Sequence, residues 1–394
     1  MKIMKRLRRS VQRLLAKVSL TPAETALATD VVGGISEAKS CHLSKIARTL
    51  KEKAPLIQTE QRLSRQLAKK VSNLDSLPRA WLRHAAPVTR RMSFIAVDFS
   101  EISKPYGKKF EYIDRVRDAS TPKKEIQPGY WLLSLEAGDQ HHARLALWME
   151  AFSTKASSYQ GWWETVHRAI LAVRSSTDPQ AVWLFDRGFD DKGTMRVADK
   201  LELRWVIRVK RNRNVSFGDP TCRQTKNLAT FANGLRCSNP VELEYVDKST
   251  HVLCSFPASF GFAPVVVSQQ ARTLLVVRLP GHEDMFLLTN QRGLSKKQAA
   301  LLVKAYLKRW GNEEITRCFK QCTQVEDVRV RRYQSIQRIV SMAMIALGLQ
   351  AVWWFTRRTS TERLIQRVKQ FIENVPFPHY RLWEATSDAL SHGS

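Results

Sequence analysis

Residues 94 to 99 have the sequence FIAVDF, and our prediction of the fold starts from this stretch. The stretch is apolar on both faces of an extended strand, except at Asp98. A strand of this kind is typical of the centre of a sheet that helices cover on both sides. A carboxylate in such a strand must be paired, protonated or bound to a metal ion, because an isolated charge is costly to bury. Asp98 is therefore the first candidate functional residue, and a structural ion pair with an arginine is the alternative.

A second stretch, AVWLF at residues 181–185, predicts another buried strand that ends at Asp186. Gly188 then turns the chain into a helix over residues 190–201, and residues 204–209 form a closing strand. The chain between the two buried strands has the patterns of three strands and a helix, at residues 110–117, 130–136, 143–152 and 157–173. Strands that first follow one another and then alternate with helices predict an α/β fold, with a mixed sheet covered on both faces.

The sequence AYLKRWGNEEITRCFK, at residues 305–320, predicts a helix with two different faces. Each residue turns a helix by about 100°, so four polar residues share an arc of about 60°. These residues are Tyr306, Arg309, Glu313 and Lys320. The opposite face is apolar and contains Leu301, Leu307, Ile315, Cys318, Phe319 and Cys322. A glutamate among bases can bind a metal ion while Arg309 and Lys320 hold phosphates, whereas Glu314 points away. A solvated face with ion pairs is the alternative.

The composition favours a polyanionic partner. The 394 residues include 64 Lys and Arg against 36 Asp and Glu, a net charge of +28, so nucleic acid is the expected ligand. The six cysteines form no CxxC pair and have no histidines at zinc-finger spacing. We therefore expect packing residues in a reducing cytosol rather than disulfides or zinc ligands. The apolar residues 339–355 contain Gln350 and predict a buried core helix rather than a membrane span.

Residues 1–90 form a basic, helical region with 19 Lys and Arg against six Asp and Glu. Ser40 is predicted to cap a helix that runs to residue 50, and a second helix is predicted over residues 60–71. Two short helices joined by a turn, the second one basic, fit a helix-turn-helix reader of DNA. In the second helix Leu63 and Leu67 face inward. Four bases are left free to contact DNA, namely Arg62, Arg65, Lys69 and Lys70. An ordinary basic helical bundle is the alternative.

The three acids resemble the catalytic triad of the DDE transposases. Asp98, Asp186 and Glu313 match the triad, and the spacing of the four polar residues at 306–320 resembles the signature of the bacterial insertion sequence 4 family. Further similarity lies in VDFS around Asp98, LFDRGFDD around Asp186, WVIRVKRN after it, and LLTN at residues 287–290. The resemblance implies a ribonuclease H-like fold, with helices on both faces of a mixed sheet and a β-rich insertion before the helix that bears the glutamate.

The chain accordingly divides into five expected parts. These are a helical DNA-binding region (1–90), the first part of a ribonuclease H-like catalytic core (91–210), a β-rich insertion (211–290), the second part of the core (291–355) and a C-terminal helical tail (356–394). Within the insertion, β-like runs lie at residues 241–246, 265–267, 273–279 and 285–288, separated by Gly and Pro.

The resemblance also implies an activity. A transposase of this kind cleaves DNA at the transposon ends and transfers the strands into target DNA. Asp98, Asp186 and Glu313 would hold two Mg²⁺ ions, with Mn²⁺ as a substitute, and Tyr306, Arg309 and Lys320 would contact DNA. The expected partners are the terminal inverted repeats of the element, target DNA and a second copy of the chain in a synaptic complex, in the cytoplasm of a bacterium and without a membrane. A ribonuclease H-like nuclease or resolvase without strand transfer, and a DNA-binding derivative that has lost catalysis, are the alternatives.

Overall fold

The structure is a computed structural model that describes residues 2–117, 125–141, 143–219, 223–246, 253–309, 311–357, 359, 361–362 and 379–391. Helices α1 to α12 span Lys2–Leu15, Pro22–Ala38, Leu43–Leu50, Leu56–Leu67, Leu77–Thr89, Trp162–Arg174, Lys192–Lys200, Leu228–Asn233, Lys296–Lys308, Gly311–Thr323, Tyr333–Thr356 and His379–Ser391. Strands β1 to β12 span Phe94–Ser103, Asp114–Arg117, Ile126–Gly138, Arg144–Phe152, Val182–Phe185, Arg204–Arg208, Asn214–Phe217, Gln224–Asn227, Asn239–Val246, Leu253–Val267, Gln270–Arg278 and Met285–Thr289.

The described strands form one mixed sheet, as predicted. Along its main path the order is β2-β3-β1-β5-β6-β12-β11-β10-β7-β8, and β4 and β9 pair with β3 and β10. The central strands β1, β5 and β6 run parallel, whereas β3 pairs antiparallel with both β1 and β4. The strand predicted over residues 110–117 is shorter and covers only its second half, Asp114–Arg117.

Strand β1 is covered on both faces, which confirms the interpretation of FIAVDF. Successive residues of a strand point to opposite faces of the sheet. Ile95 and Val97 belong to one hydrophobic cluster, whereas Phe94 belongs to another, together with Val182 and Leu184 of β5. Asp98 therefore lies on a strand with little access to water from either side.

The strands of residues 211–290 continue the same sheet. β12 pairs with β6 on one side and with β11 on the other, so hydrogen bonds run from the central strands into this segment. The predicted β-like runs coincide with β9 to β12, but residues 265–267 are the end of a longer strand that begins at Leu253. The segment also contains β7, β8 and the short helix α8.

The continuous helix predicted over residues 301–322 is wrong, because the chain is broken into α9 and α10. α9 ends at Lys308 and α10 begins at Gly311. A glycine weakens a helix by only about 1 kcal/mol, and the carbonyl of Lys308 also accepts a hydrogen bond from Arg144, at 2.8 Å. Leu301, predicted to be buried, is 40% exposed.

The N-terminal helices are shifted from their predicted bounds. His42, and not Ser40, caps α3, and α4 spans Leu56–Leu67 instead of residues 60–71. Leu63 and Leu67 are fully buried as predicted. Because α4 ends earlier than predicted, Lys69 and Lys70 lie in the turn after it rather than on the helix.

Helix α11 is the centre of the helical layer. It packs against β4, α2 and α5, and Gly348 leaves room for the Trp81 indole, which a Cβ atom would approach to 2.3 Å. By length and composition this helix is long enough to cross a membrane, but 72% of its most apolar window is buried inside the protein. Burial of this extent is typical of a core helix, as the sequence predicts.

Candidate active site

Asp98 and Asp186 follow two paired residues of adjacent parallel strands. Val97 of β1 is opposite Phe185 of β5, so the next residue in each case is an aspartate: Asp98 within β1, and Asp186 directly after the end of β5. Neighbouring strands are about 4.8 Å apart. Asp98 Oδ1 accepts a hydrogen bond from the backbone of Phe99 at 2.9 Å. Asp186 Oδ1 accepts one from Gly188 at 2.7 Å and so begins a short 3₁₀ turn.

Arg309 brings the third acid to this pair. Its Nη1 lies 3.5 Å from Asp98 Oδ2, and its Nη2 lies 3.8 Å from Glu313 Oε1. Its guanidinium also lies over the Tyr306 ring, 5.8 Å from the centroid. The structure therefore brings Tyr306, Arg309 and Glu313 together at Asp98. Tyr306 and Arg309 are buried, at 1% and 6% exposure, so the alternative of a solvated face is wrong at these two positions.

Lys320 lies apart from the other signature residues. Its Nζ is 2.7 Å from Glu101 Oε1 and 3.4 Å from Glu326 Oε1. Glu101 is buried and lies further along β1, three residues after Asp98. Lys320 thus joins the last turn of α10 to the end of the central strand, and its charge is already matched within the protein.

The charges of the site shift the pKa values of its members. Burial raises the pKa of Asp98 to about 7; Arg309 opposes this shift, whereas Asp186 and Glu313 add to it. Burial also raises the pKa of Tyr306 to about 12. Burial lowers the pKa of Arg309, but Tyr306 and the three acids outweigh it, so the pKa is raised and the guanidinium stays charged.

The neighbouring acids have structural partners. Glu314 pairs with Arg317 at 2.8 Å, and so points away from the site, as predicted. Asp190 is buried against Arg213 at 2.5 Å, and Asp191 caps α7 through the backbone of Gly193 and Thr194. These contacts leave Asp98, Asp186 and Glu313 as the acids that converge.

A family model describes the same part of the molecule. The model of the transposase DDE domain matches residues 91–349, which is well over half of the chain and includes all three acids. The chain belongs to this family. Transposase DDE domains use divalent metal ions.

Comparisons with curated proteins and with solved structures add only weak similarity. No curated protein matches the chain. The chain is similar to a piggyBac transposase in a cryo-EM structure of its synaptic complex with hairpin DNA, with 8% identity and a TM-score of 0.44, over 93% of this chain and 71% of that one. A TM-score of this size carries no conclusion about shared function.

The acids of this DDE domain fit a metal ion by their chemistry. Three carboxylates supply the oxygen donors that hard divalent cations prefer, and the side chain of Glu313 is 52% exposed, which leaves it accessible. Within the described residues, however, no three acidic, histidine or cysteine side chains are arranged to hold an ion as they stand. The Arg309 guanidinium lies between Asp98 and Glu313. Metal binding therefore requires Arg309 to withdraw from these carboxylates.

A groove rich in arginine and lysine lies near Arg187 and is not among the predicted site residues. Adjoining cavities of about 160 and 570 Å³ are lined by Arg187 and Arg211, with Arg208, Glu283 and Asp284 in the first and Lys210 in the second. Arg187 directly follows Asp186, so one wall of the groove is next to this acid in the chain. The sequence signal is the run VKRNRN at residues 209–214, whose density of positive charge indicates a phosphate-binding surface.

The bases predicted to contact DNA in the N-terminal region are not all free. Arg62 pairs with Glu52 at 2.5 Å and with Asp30 at 3.3 Å, so the prediction that it is free is wrong. Arg65 is exposed and donates to Gln61 of the same helix. Lys69 and Lys70 are exposed beyond the end of α4.

Proposed function

We propose that the protein is a transposase of the insertion sequence 4 type, which cleaves DNA at the ends of its own element and joins the freed strands to target DNA. The observation that carries the proposal is the placement of Asp98 in β1 and of Asp186 directly after the adjacent parallel strand β5, with Glu313 joined to Asp98 through Arg309. The strand order β4-β3-β1-β5-β6, with β3 antiparallel to its neighbours, supports a ribonuclease H-like core around these acids.

Asp98, Asp186 and Glu313 would hold two divalent ions, Mg²⁺ or Mn²⁺, with Arg309 displaced. When bound, these ions supply an activated water or DNA 3′-OH and offset the charge that develops at phosphorus. Asp98 must lose its proton to serve as a ligand, and its raised pKa makes that loss depend on pH. Once displaced, Arg309 has a free guanidinium for a phosphate of the transposon end, which it can bind in a bidentate manner.

Tyr306 and Lys320 would contribute differently to DNA binding. Tyr306 is buried under Arg309, so it would hold that guanidinium in place and reach DNA only after Arg309 moves. Lys320 would have to exchange Glu101 and Glu326 for a phosphate. The basic groove at Arg187 and Arg211 would carry the strand that leaves the acids, because its exposed cations match a phosphate backbone.

The exposed bases of the N-terminal region, Arg65, Lys69 and Lys70, would contact the terminal inverted repeats. Two copies of the chain would then hold two ends in a synaptic complex, since each copy has one set of the three acids. In this proposal the protein acts in the bacterial cytoplasm on the chromosome and on its own element.

A strand-transfer assay tests the proposal. A duplex that ends in the element's terminal repeat is incubated with the protein, Mg²⁺ and a supercoiled plasmid, with EDTA and Asp186→Asn as controls. We expect cleavage at the repeat and joint molecules with the plasmid, only when Mg²⁺ and Asp186 are present. Cleavage without joint molecules would indicate a nuclease or resolvase, and binding without cleavage would indicate a derivative that has lost catalysis.

A further inference from the structure

The break between α9 and α10 is fixed from outside the two helices. Arg144 of β4 donates to the carbonyl of Lys308, the last residue of α9, through Nη2 at 2.8 Å. The next residue, Arg309, lies 3.5 Å from Asp98 Oδ2, and α10 begins two residues before Glu313.

Gly311 makes room for this arginine. A Cβ atom at position 311 would lie 2.4 Å from Nε of Arg144 and 3.1 Å from its Nη2, which is closer than non-bonded atoms approach. The glycine is therefore needed for space beside the guanidinium.

Arg144 cannot easily move aside to accept a larger residue. Its Nε lies 3.0 Å from Glu136 Oε1, and both side chains are less than 5% exposed. Its Nη1 donates to the carbonyls of Asp139 and Ala143, and the guanidinium stacks over the Phe94 ring at 4.9 Å. The guanidinium is thus held by the strand that carries Asp98, by the β3–β4 turn and by a buried carboxylate.

Glu136 ties this arrangement to the catalytic strand. It lies opposite Ala96 in the β1–β3 pairing, whereas Asp98 lies opposite Ser134. Glu136 and Asp98 therefore share one face of the sheet, two positions apart. A displacement of Arg144 would change the distance between the strand that bears Asp98 and the helix that bears Glu313.

We propose that Glu136 and Arg144 are positioning residues for the active site: they hold the end of α9 and the start of α10, with Gly311 as the space they require, and so set the distance of Glu313 from Asp98. This inference rests on the proposed function, because it assigns these residues to the metal-dependent site. It predicts that the three residues act as one unit, although Arg144 and Gly311 are 167 positions apart in the sequence.

The test uses a paired substitution that removes both partners of the buried Glu136–Arg144 pair together. Replacing a buried ion pair by apolar residues of similar size commonly preserves stability, whereas removing one partner does not. Glu136→Leu/Arg144→Leu should therefore keep a melting temperature close to that of the wild type. It should nevertheless reduce the Mn²⁺ affinity, measured by electron paramagnetic resonance of free Mn²⁺, by about tenfold, and the single-turnover cleavage rate by about 100-fold.

Gly311→Ala, measured in the wild type and in the paired variant, completes a double-mutant cycle. In the wild-type background it should produce losses of the same size, and in Glu136→Leu/Arg144→Leu it should add nothing, because the guanidinium that it displaces is gone. Gly33→Ala is the control, since Gly33 also lies in a helix and has nothing within 4 Å of an added Cβ; it should leave both quantities unchanged.

Two results would overturn the inference without affecting the proposed function. One is wild-type Mn²⁺ affinity and a wild-type cleavage rate in Glu136→Leu/Arg144→Leu. The other is that Gly311→Ala reduces these two quantities as much in Glu136→Leu/Arg144→Leu as in the wild type. If the paired variant does not fold, Gly311→Ala with wild-type Mn²⁺ affinity overturns it equally. A wild-type protein that shows neither Mn²⁺ binding nor cleavage would overturn the proposed function and the inference together.

Discussion

At the scale of single residues, Asp98 combines burial with two acidic neighbours and one cation. Its pKa of about 7 in the folded protein lies above the value of about 3.9 expected in an unfolded chain. The folded state therefore binds the proton more tightly. The contribution of Asp98 to stability is present at low pH and is lost as the pH rises toward the folded pKa.

This linkage predicts a stability that depends on pH and on metal. In EDTA, the melting temperature of the wild type relative to that of Asp98→Asn should fall from about pH 5.5 to about pH 7.5. Mg²⁺ or Mn²⁺ should raise the wild-type melting temperature mainly at the upper pH, because the ionised carboxylate binds the ion. Burial also raises the pKa of Glu136, to about 8, so a dependence of the same sign should remain in the variant, and the difference between the two proteins reports Asp98. A parallel pH dependence in the two proteins would contradict the assignment to Asp98.

The three acids predict a second set of results. Asp98→Asn, Asp186→Asn and Glu313→Gln should each reduce cleavage below detection and leave gel-shift binding of the ends within about twofold, because an amide keeps the shape but removes the charge that holds the ions. Glu314→Gln is the matched control. It breaks only the exposed pair with Arg317, worth about 0.2–0.5 kcal/mol, and should stay active. An inactive Glu314→Gln beside an active Glu313→Gln would reverse the assignment.

At the scale of elements, the sequence predicts strands better than it predicts the signature helix. FIAVDF and AVWLF are short apolar runs whose burial on both faces admits few alternatives, and both form central strands. Their parallel pairing could be expected, but the register that puts Asp98 beside Asp186 could not. The helix period of residues 305–320 fits an unbroken helix, whereas the structure has two, α9 and α10. Arg144, which contacts the end of the first and packs on the start of the second, is distant in sequence. A local pattern contains no information about such a partner.

Two lysines tie the C-terminal end of α10, and the segment after it, to β1. Lys104, directly after the strand, donates to the carbonyl of Val328 at 2.8 Å, and Lys320 of the helix pairs with the buried Glu101 at 2.7 Å. The C-terminal end of the helix that bears Glu313 is thus fixed to the sheet. Lys320 has a structural contact that competes with its predicted contact to DNA.

The two roles of Lys320 can be separated. Lys320→Met leaves Glu101 buried without its partner and should lower the free energy of unfolding by about 3 kcal/mol, whereas adding Glu101→Gln should recover most of it. Urea unfolding measures this difference. If Lys320 also binds a phosphate, the stable Lys320→Met/Glu101→Gln protein should still bind DNA ends less tightly than the wild type. The slope of log K against log salt concentration should be smaller in magnitude by about 0.9. Wild-type binding by this double variant would leave Lys320 only its structural role.

At the scale of the whole molecule, the N-terminal region shares its core with the rest. Trp81 is fully buried and donates from Nε1 to the carbonyl of Ala146 in β4 at 3.0 Å. Arg338 of α11 donates to the carbonyl of Leu67 and pairs with Asp75. Deleting residues 1–90 would therefore expose α11 and β4, and a loss of end binding in the truncated protein would not distinguish recognition from unfolding.

Charge substitutions on the folded surface test recognition without this complication. Arg65→Gln/Lys69→Gln/Lys70→Gln removes three exposed positive charges and leaves Arg62, which is paired with Glu52, in place. If these bases contact the terminal repeats, the slope of log K for end binding against log salt concentration should decrease in magnitude by up to about 2.7, which is about 0.9 for each contact. The preference for the repeats over random DNA should fall as well, because the region is proposed to read sequence.

A matched variant distinguishes a local contact from the general field. Lys296→Gln/Lys297→Gln/Lys304→Gln changes the net charge of +28 by the same amount, through exposed residues of α9. The field alone acts at long range and is screened within about 8 to 10 Å at physiological salt, so this variant should slow association slightly and keep the preference for the repeats. Equal losses in the two variants would mean that the N-terminal bases act only through net charge, and recognition would then lie elsewhere in the chain.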